Sequence, residues 1–194
     1  MSLSRQLSLF GVEARPASPL DLEGLLAGAG QVVRMGGTAR VSIVVADAWR
    51  ARALVREAAA RGLAATCEKA TVEGHIGVRT AYSSALAPLG RVWLRGAVKH
   101  PPHGFALDGR RLRLWAIAAG SAEKGMYMLQ LGTSDDEPLW QSIGGALAAA
   151  GLPAILLGPR AGGPAYRIVG RRRLARLAEL IGDSPPETPP GQWV

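Results

Sequence analysis

Glycines that end predicted helices recur along this chain at a nearly constant offset. The pairs are Gly30 and Gly120, Gly62 and Gly151, and Gly90 and Gly182, which are separated by 90, 89 and 92 residues. Between these landmarks the same order of patterns repeats: an apolar helix, a hairpin of alternating apolar residues, an Ala-rich helix, a second hairpin and a closing helix. The spacing therefore predicts an α+β fold built from two αββαββα copies, related by a pseudo-two-fold axis.

The repeat divides the chain into five segments. They are an extended arm at 1–18, a first copy at 19–90, a linker at 91–110, a second copy at 111–182 and a Pro-rich tail at 183–194. Ser18, Pro19 and Asp21 are typical of an N-cap, a first helical position and a first-turn acid. The prolines of the tail favour disorder there.

Charge and cysteine content limit the classes of function. The chain has 23 Lys and Arg against 15 Asp and Glu, a formal net charge of +8. Such a balance favours a polyanionic partner, the alternative being a charge that only keeps the protein in solution. Cys67 is the single cysteine, which excludes an internal disulfide and a thiolate zinc cluster. With no phosphate-binding motif and no apolar run of about 20 residues, we expect a cytoplasmic protein with no cofactor, metal or membrane span.

The first predicted helix carries a recognisable signature. LEGLLAGAG at 22–30 resembles the LAGLIDADG signature of homing endonucleases, with its first, third, fourth and final positions kept. The second copy, LRLWAIAAG at 112–120, keeps the first and last of these positions. Within that superfamily the chain is most similar to the degenerate domain of WhiA-type bacterial regulators, whose helices end in turns like WAIAAGS at 115–121. The resemblance implies a saddle in which the two signature helices pack together and the strands face DNA.

The resemblance also bears on catalysis. Active members of the family carry an acidic residue just before the terminal glycine of each signature, where paired carboxylates hold divalent metal. Ala29 and Ala119 occupy those positions here. Alanine cannot bind a metal or polarise water, so we expect no catalytic residue, no metal site and no enzyme activity.

Basic residues on the predicted strands would be the DNA contacts of such a saddle. The candidates are Arg34, Arg40, Lys69, Arg79, Arg160 and Arg167, together with Arg171 and Arg172 at the start of the last helix. They would neutralise phosphates in a salt-sensitive way. A solvated helix face is the alternative for Arg171 and Arg172.

The arm contains the most specific motif of the chain. Gln6, Leu7, Ser8, Leu9 and Phe10 resemble, at all five positions, the peptide by which bacterial proteins bind the replication sliding clamp. Leu9 and Phe10 would enter an apolar pocket of the clamp while Gln6 makes polar contacts at its edge. The alternatives are an arm that packs on its own body and a chance match.

Together these features predict a function. We expect a non-catalytic DNA-binding accessory protein, monomeric with an internal two-fold, that the sliding clamp recruits at the nucleoid or replisome for DNA replication or repair. The alternatives are a WhiA-like transcription regulator, a residual DNA endonuclease and a saddle that binds only protein.

Overall fold

The structure is a computed structural model that describes residues 11–12, 14–133 and 137–194. These residues form six α-helices. Their bounds are α1 Glu23–Ala27, α2 Ala48–Ala59, α3 Ala87–Trp93, α4 Gly109–Ala119, α5 Glu137–Ala149 and α6 Arg171–Ile181. Short 3₁₀ turns at Pro19–Leu22 and Ser84–Leu86 lead into α1 and α3.

Ten strands accompany these helices in the described part of the chain. Their bounds are β1 Gln31–Met35, β2 Thr38–Val45, β3 Ala65–Lys69, β4 Ile76–Thr80, β5 Leu94–Arg95, β6 Val98–Lys99, β7 Gly120–Glu123, β8 Met126–Gln130, β9 Ile155–Leu157 and β10 Ala165–Val169. They form two four-stranded antiparallel sheets with equivalent orders, β1-β2-β4-β3 and β7-β8-β10-β9, and a separate ribbon of β5 and β6. The predicted α+β duplication is therefore confirmed.

The central helices α1 and α4 cross in close contact, as the resemblance to the LAGLIDADG signature implies. Gly24 of α1 has room for no side chain, because a Cβ atom there would lie 2.6 Å from the carbonyl carbon of Arg111. Leu26 and Trp115, which are fully buried, extend the core from this crossing into the two sheets. The crossing thus joins the copies into one hydrophobic core.

The predicted start of the first helix is confirmed, but its predicted end is not. Ser18 and Asp21 form a capping box, in which the Asp21 carboxylate accepts a hydrogen bond of 3.0 Å from the backbone N–H of Ser18. The helix was predicted to reach Gly30, but it ends at Ala27. The N–H of Gly30 instead bonds the Leu25 carbonyl at 2.9 Å, which closes the last turn.

The sequence-based interpretation also missed one strand and ended one helix too early. Strand β7 was not predicted, because Gly-Ser-Ala-Glu has no alternation of large apolar residues. The helix α3 continues to Trp93, although Gly90 was expected to end it. Glycine is required at position 90 because the Arg34 side chain packs against it. A Cβ atom on Gly90 would lie 2.7 Å from the Cγ atom of Arg34.

The Pro-rich tail is ordered, which corrects the prediction of disorder. Glu187 forms ion pairs with Arg52 and Arg56 of α2, at 2.6 and 3.2 Å. The indole N–H of Trp193 donates to the Gly182 carbonyl at 2.9 Å, and the Arg113 guanidinium lies 5.6 Å from its ring centre. Proline favours an extended path, and these contacts hold that path against the helices.

No helix in the described ranges is long and apolar enough to cross a membrane.

Candidate nucleic-acid interface

Each four-stranded sheet has one face covered by helices and one open face. Alternation along β2 places Val41 and Ile43 in the core and Arg40 and Ser42 on the open face. A hollow of about 270 Å³ lies on this open face of the first sheet. Its lining includes Ala29, at the end of the first signature, together with Arg40, Ser42 and Arg79.

The strand registers show that two arginines occupy equivalent positions in the two copies. The row that begins one residue after the first signature is Gln31, Ser42, Arg79 and Thr66. The corresponding row of the second copy is Ser121, Met128, Arg167 and Ile155. Arg79 and Arg167 therefore stand third in matching rows, one on each open face.

The first sheet carries the more polar half of this surface. Arg79 forms an ion pair with Glu68 across β3 and β4, and both side chains remain partly exposed. Arg40, one strand away, lies with its guanidinium 4.8 Å from the centre of the Tyr82 ring. These contacts orient two cations on a surface that also carries the Ser42 hydroxyl, the Gln31 amide and the Glu68 carboxylate. Arginines and hydroxyls are common phosphate contacts.

Two of the predicted DNA contacts lie on the opposite face. Arg34 pairs across the strands with the buried Ala39, so its side chain is on the helix-covered side of β1. Lys69 pairs with Ile76, on the same side of the sheet as the buried Val78. Strand membership was predicted correctly for both residues, but the face depends on register, which the local pattern did not reveal.

The remaining candidates also lie outside the matching rows. Arg160 is exposed on the 3₁₀ turn Pro159–Ala161 between β9 and β10, where a strand was predicted. Arg171 and Arg172 are exposed at the start of α6, which packs with α4 on the helix-covered side. The structure thus brings together Arg40 and Arg79, with Arg167 as the counterpart of Arg79.

Two buried cations, which the sequence interpretation missed, lie at the ends of the central helices. The Lys99 ammonium donates to the carbonyls of Gly28 and Gly30, at 2.9 and 3.1 Å. The Arg50 guanidinium donates to the carbonyls of Ile117 and Gly120, at 2.8 and 2.6 Å. Each cation therefore neutralises the negative end of a signature helix.

Carboxylates lie near both helix ends: Glu68 lines the same hollow as Ala29, and Asp47 pairs with Arg50 at 2.9 Å. Ala29 and Ala119 end the two signatures without an acidic group, and Lys99 and Arg50 supply positive charge beside them. Among the described residues there is no group of three or more His, Cys, Asp or Glu side chains that could hold a metal ion.

The predicted clamp-binding residues 6–10 lie outside the described residues. The part of the arm that follows them is attached to the body. The N–H of Val12 donates to the Leu180 carbonyl at 3.0 Å, and Gly11 is buried. Arg15 then pairs with Asp21 and Asp108, at 2.5 and 2.6 Å.

Two sheets of equivalent strand order, joined by a tight crossing of two central helices, define the LAGLIDADG-type fold. Three solved structures support that assignment. The homing endonuclease I-WcaI, bound to its DNA recognition sequence, aligns with a TM-score of 0.59 at 12% identity, over 93% of this chain and 90% of its own. Full-length DUF199/WhiA from Thermatoga maritima aligns at 0.56 and 12% identity, over 84% of this chain and 54% of its own.

The third similar structure is the N-terminal LAGLIDADG domain of DUF199/WhiA. It aligns with a TM-score of 0.54 at 12% identity, over 86% of this chain and 81% of its own. No family model matches the sequence, and no curated protein matches it. At these identities the similarity establishes the fold.

Proposed function

We propose that this protein is a non-catalytic DNA-binding accessory protein, recruited to the bacterial sliding clamp through residues 6–10 and acting in DNA replication or repair. The observation that carries the DNA-binding part is the equivalence of Arg79 and Arg167 on the two open faces. A duplex presents phosphates on both sides of a groove, and two cations related by a pseudo-two-fold suit that arrangement. I-WcaI, which has a similar fold, is bound to its DNA recognition sequence, and this supports DNA binding by the present chain.

The ends of the central helices support the absence of catalysis. A nuclease of the LAGLIDADG type needs carboxylates there to hold divalent metal. This chain has Ala29 and Ala119 at those positions, and the ammonium of Lys99 bonds the carbonyls on both sides of Ala29. A fixed positive charge at that place disfavours a second cation.

The arm supports recruitment by the clamp. QLSLF has the residue types of a clamp-binding peptide, and it directly precedes Gly11, where the chain attaches to the body. A weak peptide contact and weak phosphate contacts on the same chain reinforce each other on clamp-loaded DNA, because the second binding event becomes intramolecular.

The DNA-binding part is tested by titrating a labelled duplex with the protein at several salt concentrations. In the variant Arg79→Ala/Arg167→Ala we expect weaker binding and a slope of log K against log[salt] reduced by about 1.8, or about 0.9 for each lost phosphate contact. The matched control is Arg52→Ala/Arg56→Ala, which removes the same charge from α2 on the helix-covered side. Equal losses in both variants, or no loss in the first, would contradict the proposal.

A WhiA-like transcription regulator is a second candidate, favoured by the similarity to both WhiA structures. That function requires preference for particular promoter sequences. Footprinting that shows protection of defined sites, retained when residues 6–10 are altered, would favour it over the clamp-recruited protein.

A further inference from the structure

A groove of about 340 Å³ opens between the linker, α5 and α6. Its lining is largely apolar and includes Leu107, Ala146, Ala149, Ala150 and Leu180, with Arg111 as one of its few charged residues. It lies on the helix side of the second copy, away from the open faces that carry Arg79 and Arg167.

The pseudo-symmetry shows why this groove exists. Ser18 and Asp108 are equivalent N-caps, so Asp21 and Arg111, each three residues later, are equivalent. The N–H groups of Leu63 and Leu152 bond the carbonyls of Ala58 and Leu147, which aligns the ends of α2 and α5. By this alignment the counterparts of Glu57 and Arg61 are Ala146 and Ala150.

In the first copy the equivalent space is filled. The Arg61 side chain is fully buried, and its guanidinium pairs with Asp21 at 3.0 Å and Glu57 at 2.6 Å. In the second copy the two larger members of this network are alanines, so the volume that they would occupy is the groove. The buried Nε of Arg111 has no hydrogen-bond acceptor among the described residues, a cost that an acceptor entering the groove would remove.

The path of the arm indicates what enters. Gly11 packs against Gly109 at the start of α4. A Cβ atom on Gly109 would lie 2.7 Å from the carbonyl carbon of Gly11. Val12 bonds Leu180, which lines the groove. Gly11 and Val12 therefore lie beside the groove, and an extended segment of four residues would span about 13 Å.

We propose that Leu7, Ser8, Leu9 and Phe10 dock in this groove when the clamp is absent. The segment has no charged residue and three large apolar side chains, which match a groove whose Arg111 already pairs with Glu23 at 2.7 Å. The Ser8 hydroxyl or a backbone carbonyl of the segment supplies the acceptor for the Arg111 Nε. The same side chains cannot occupy two pockets at once, so the groove of the body and the pocket of the clamp compete for them. This competition rests on the proposed function, whereas docking in the groove does not.

Docking is tested on the full chain by amide NMR, which suits a protein of 20.3 kDa. We expect Leu9→Ala/Phe10→Ala to shift the backbone resonances of Ala146, Ala149, Ala150 and Arg111, because the segment no longer occupies the groove. The control Met1→Ala/Leu3→Ala should leave these resonances in place. If the resonances of these groove residues are the same in Leu9→Ala/Phe10→Ala as in the wild type, docking is refuted. This outcome does not depend on whether the protein binds the clamp.

Competition is tested by filling the groove with Ala150→Leu. We expect this variant to bind purified clamp at least about threefold more tightly, because a larger fraction of arms is available. Ala148→Leu is the matched control, since Ala148 lies two residues earlier near the end of α5, is exposed and does not line the groove. Unchanged affinity in Ala150→Leu would refute competition, whereas groove shifts with no clamp binding by any variant would support docking and refute recruitment.

Discussion

Gly24 and Arg111 touch backbone to backbone at the crossing of α1 and α4, since a Cβ on Gly24 would lie 2.6 Å from the Arg111 carbonyl carbon. Gly24→Ala must push the two helices apart, and we expect it to lower the free energy of unfolding by about 3 kcal/mol, as overpacking of a tight core does. Gly145→Ala on α5 is the control, because its added methyl would meet nothing within 4 Å. Urea denaturation measures both, and equal stabilities would contradict a backbone contact at the crossing.

The buried ion pair of Asp21 and Arg61 yields a second prediction. Neither side chain is exposed, so Asp21→Asn leaves the Arg61 charge in the interior with weaker compensation from Glu57. We expect a loss of about 3–5 kcal/mol in the free energy of unfolding. Glu187→Gln, which removes an exposed partner of Arg52 and Arg56, should change stability little. Similar effects of the two substitutions would refute a buried network.

Stability should fall in acid because two carboxyl groups are ionised more readily in the folded protein. Burial alone raises the pKa of Glu57, but hydrogen bonds from Arg113 and Arg61 outweigh it and hold the pKa below its ordinary value. The pKa of Asp108 is likewise lowered, against the effect of burial, by the Arg111 N–H and the Arg15 side chain. The unfolded chain therefore binds more protons, and this stabilisation is lost as the pH falls below about 5 through the folded pKa values.

The measurement is the free energy of unfolding from urea titrations between pH 7 and pH 3. We expect the double variant Glu57→Gln/Asp108→Asn to be less stable at pH 7 and to show a shallower decline toward acid than the wild type. Parallel declines would show that other groups cause the acid sensitivity.

Nuclease activity should be absent with either magnesium or manganese. Ala29 and Ala119 supply no metal ligand, and the charges of Lys99 and Arg50 lie beside them. We expect supercoiled plasmid to remain intact during long incubation with purified protein. Nicking that requires the metal and disappears in Arg79→Ala/Arg167→Ala would overturn this expectation, because a contaminating nuclease would not respond to those substitutions.

Local patterns were sufficient to predict the duplication. Glycine ends a helix through its local backbone conformation, so helix ends such as those near Gly62 and Gly120 can be predicted from the sequence. The repeated spacing of these helix ends indicates two copies. The packing of α1 against α4 could also be expected, but the small residues at the helix ends did not show that the tightest contact lies at Gly24 and Arg111. The polar β7 was missed because pairing with β8, rather than its own pattern, makes it a strand.

The candidate site was only partly predictable. Arg40 and Arg34 both belong to the first hairpin, yet only Arg40 reaches the open face, because register and not composition decides the face. Lys99 reaches the end of a helix about 70 residues earlier in the chain, a long-range contact that no local pattern shows. Clamp recruitment stays a prediction, since residues 6–10 lie outside the described residues.

The most direct test of clamp recruitment is the binding of purified bacterial sliding clamp to the full chain, measured by calorimetry. We expect the wild type to bind and Leu9→Ala/Phe10→Ala to lose detectable binding while it still unfolds in one cooperative transition, because the two side chains would be the anchors in the clamp pocket. Met1→Ala/Leu3→Ala, in the same arm but outside the motif, should bind as the wild type does. Equal clamp binding by the wild type and Leu9→Ala/Phe10→Ala, or none by the wild type, would contradict recruitment through residues 6–10.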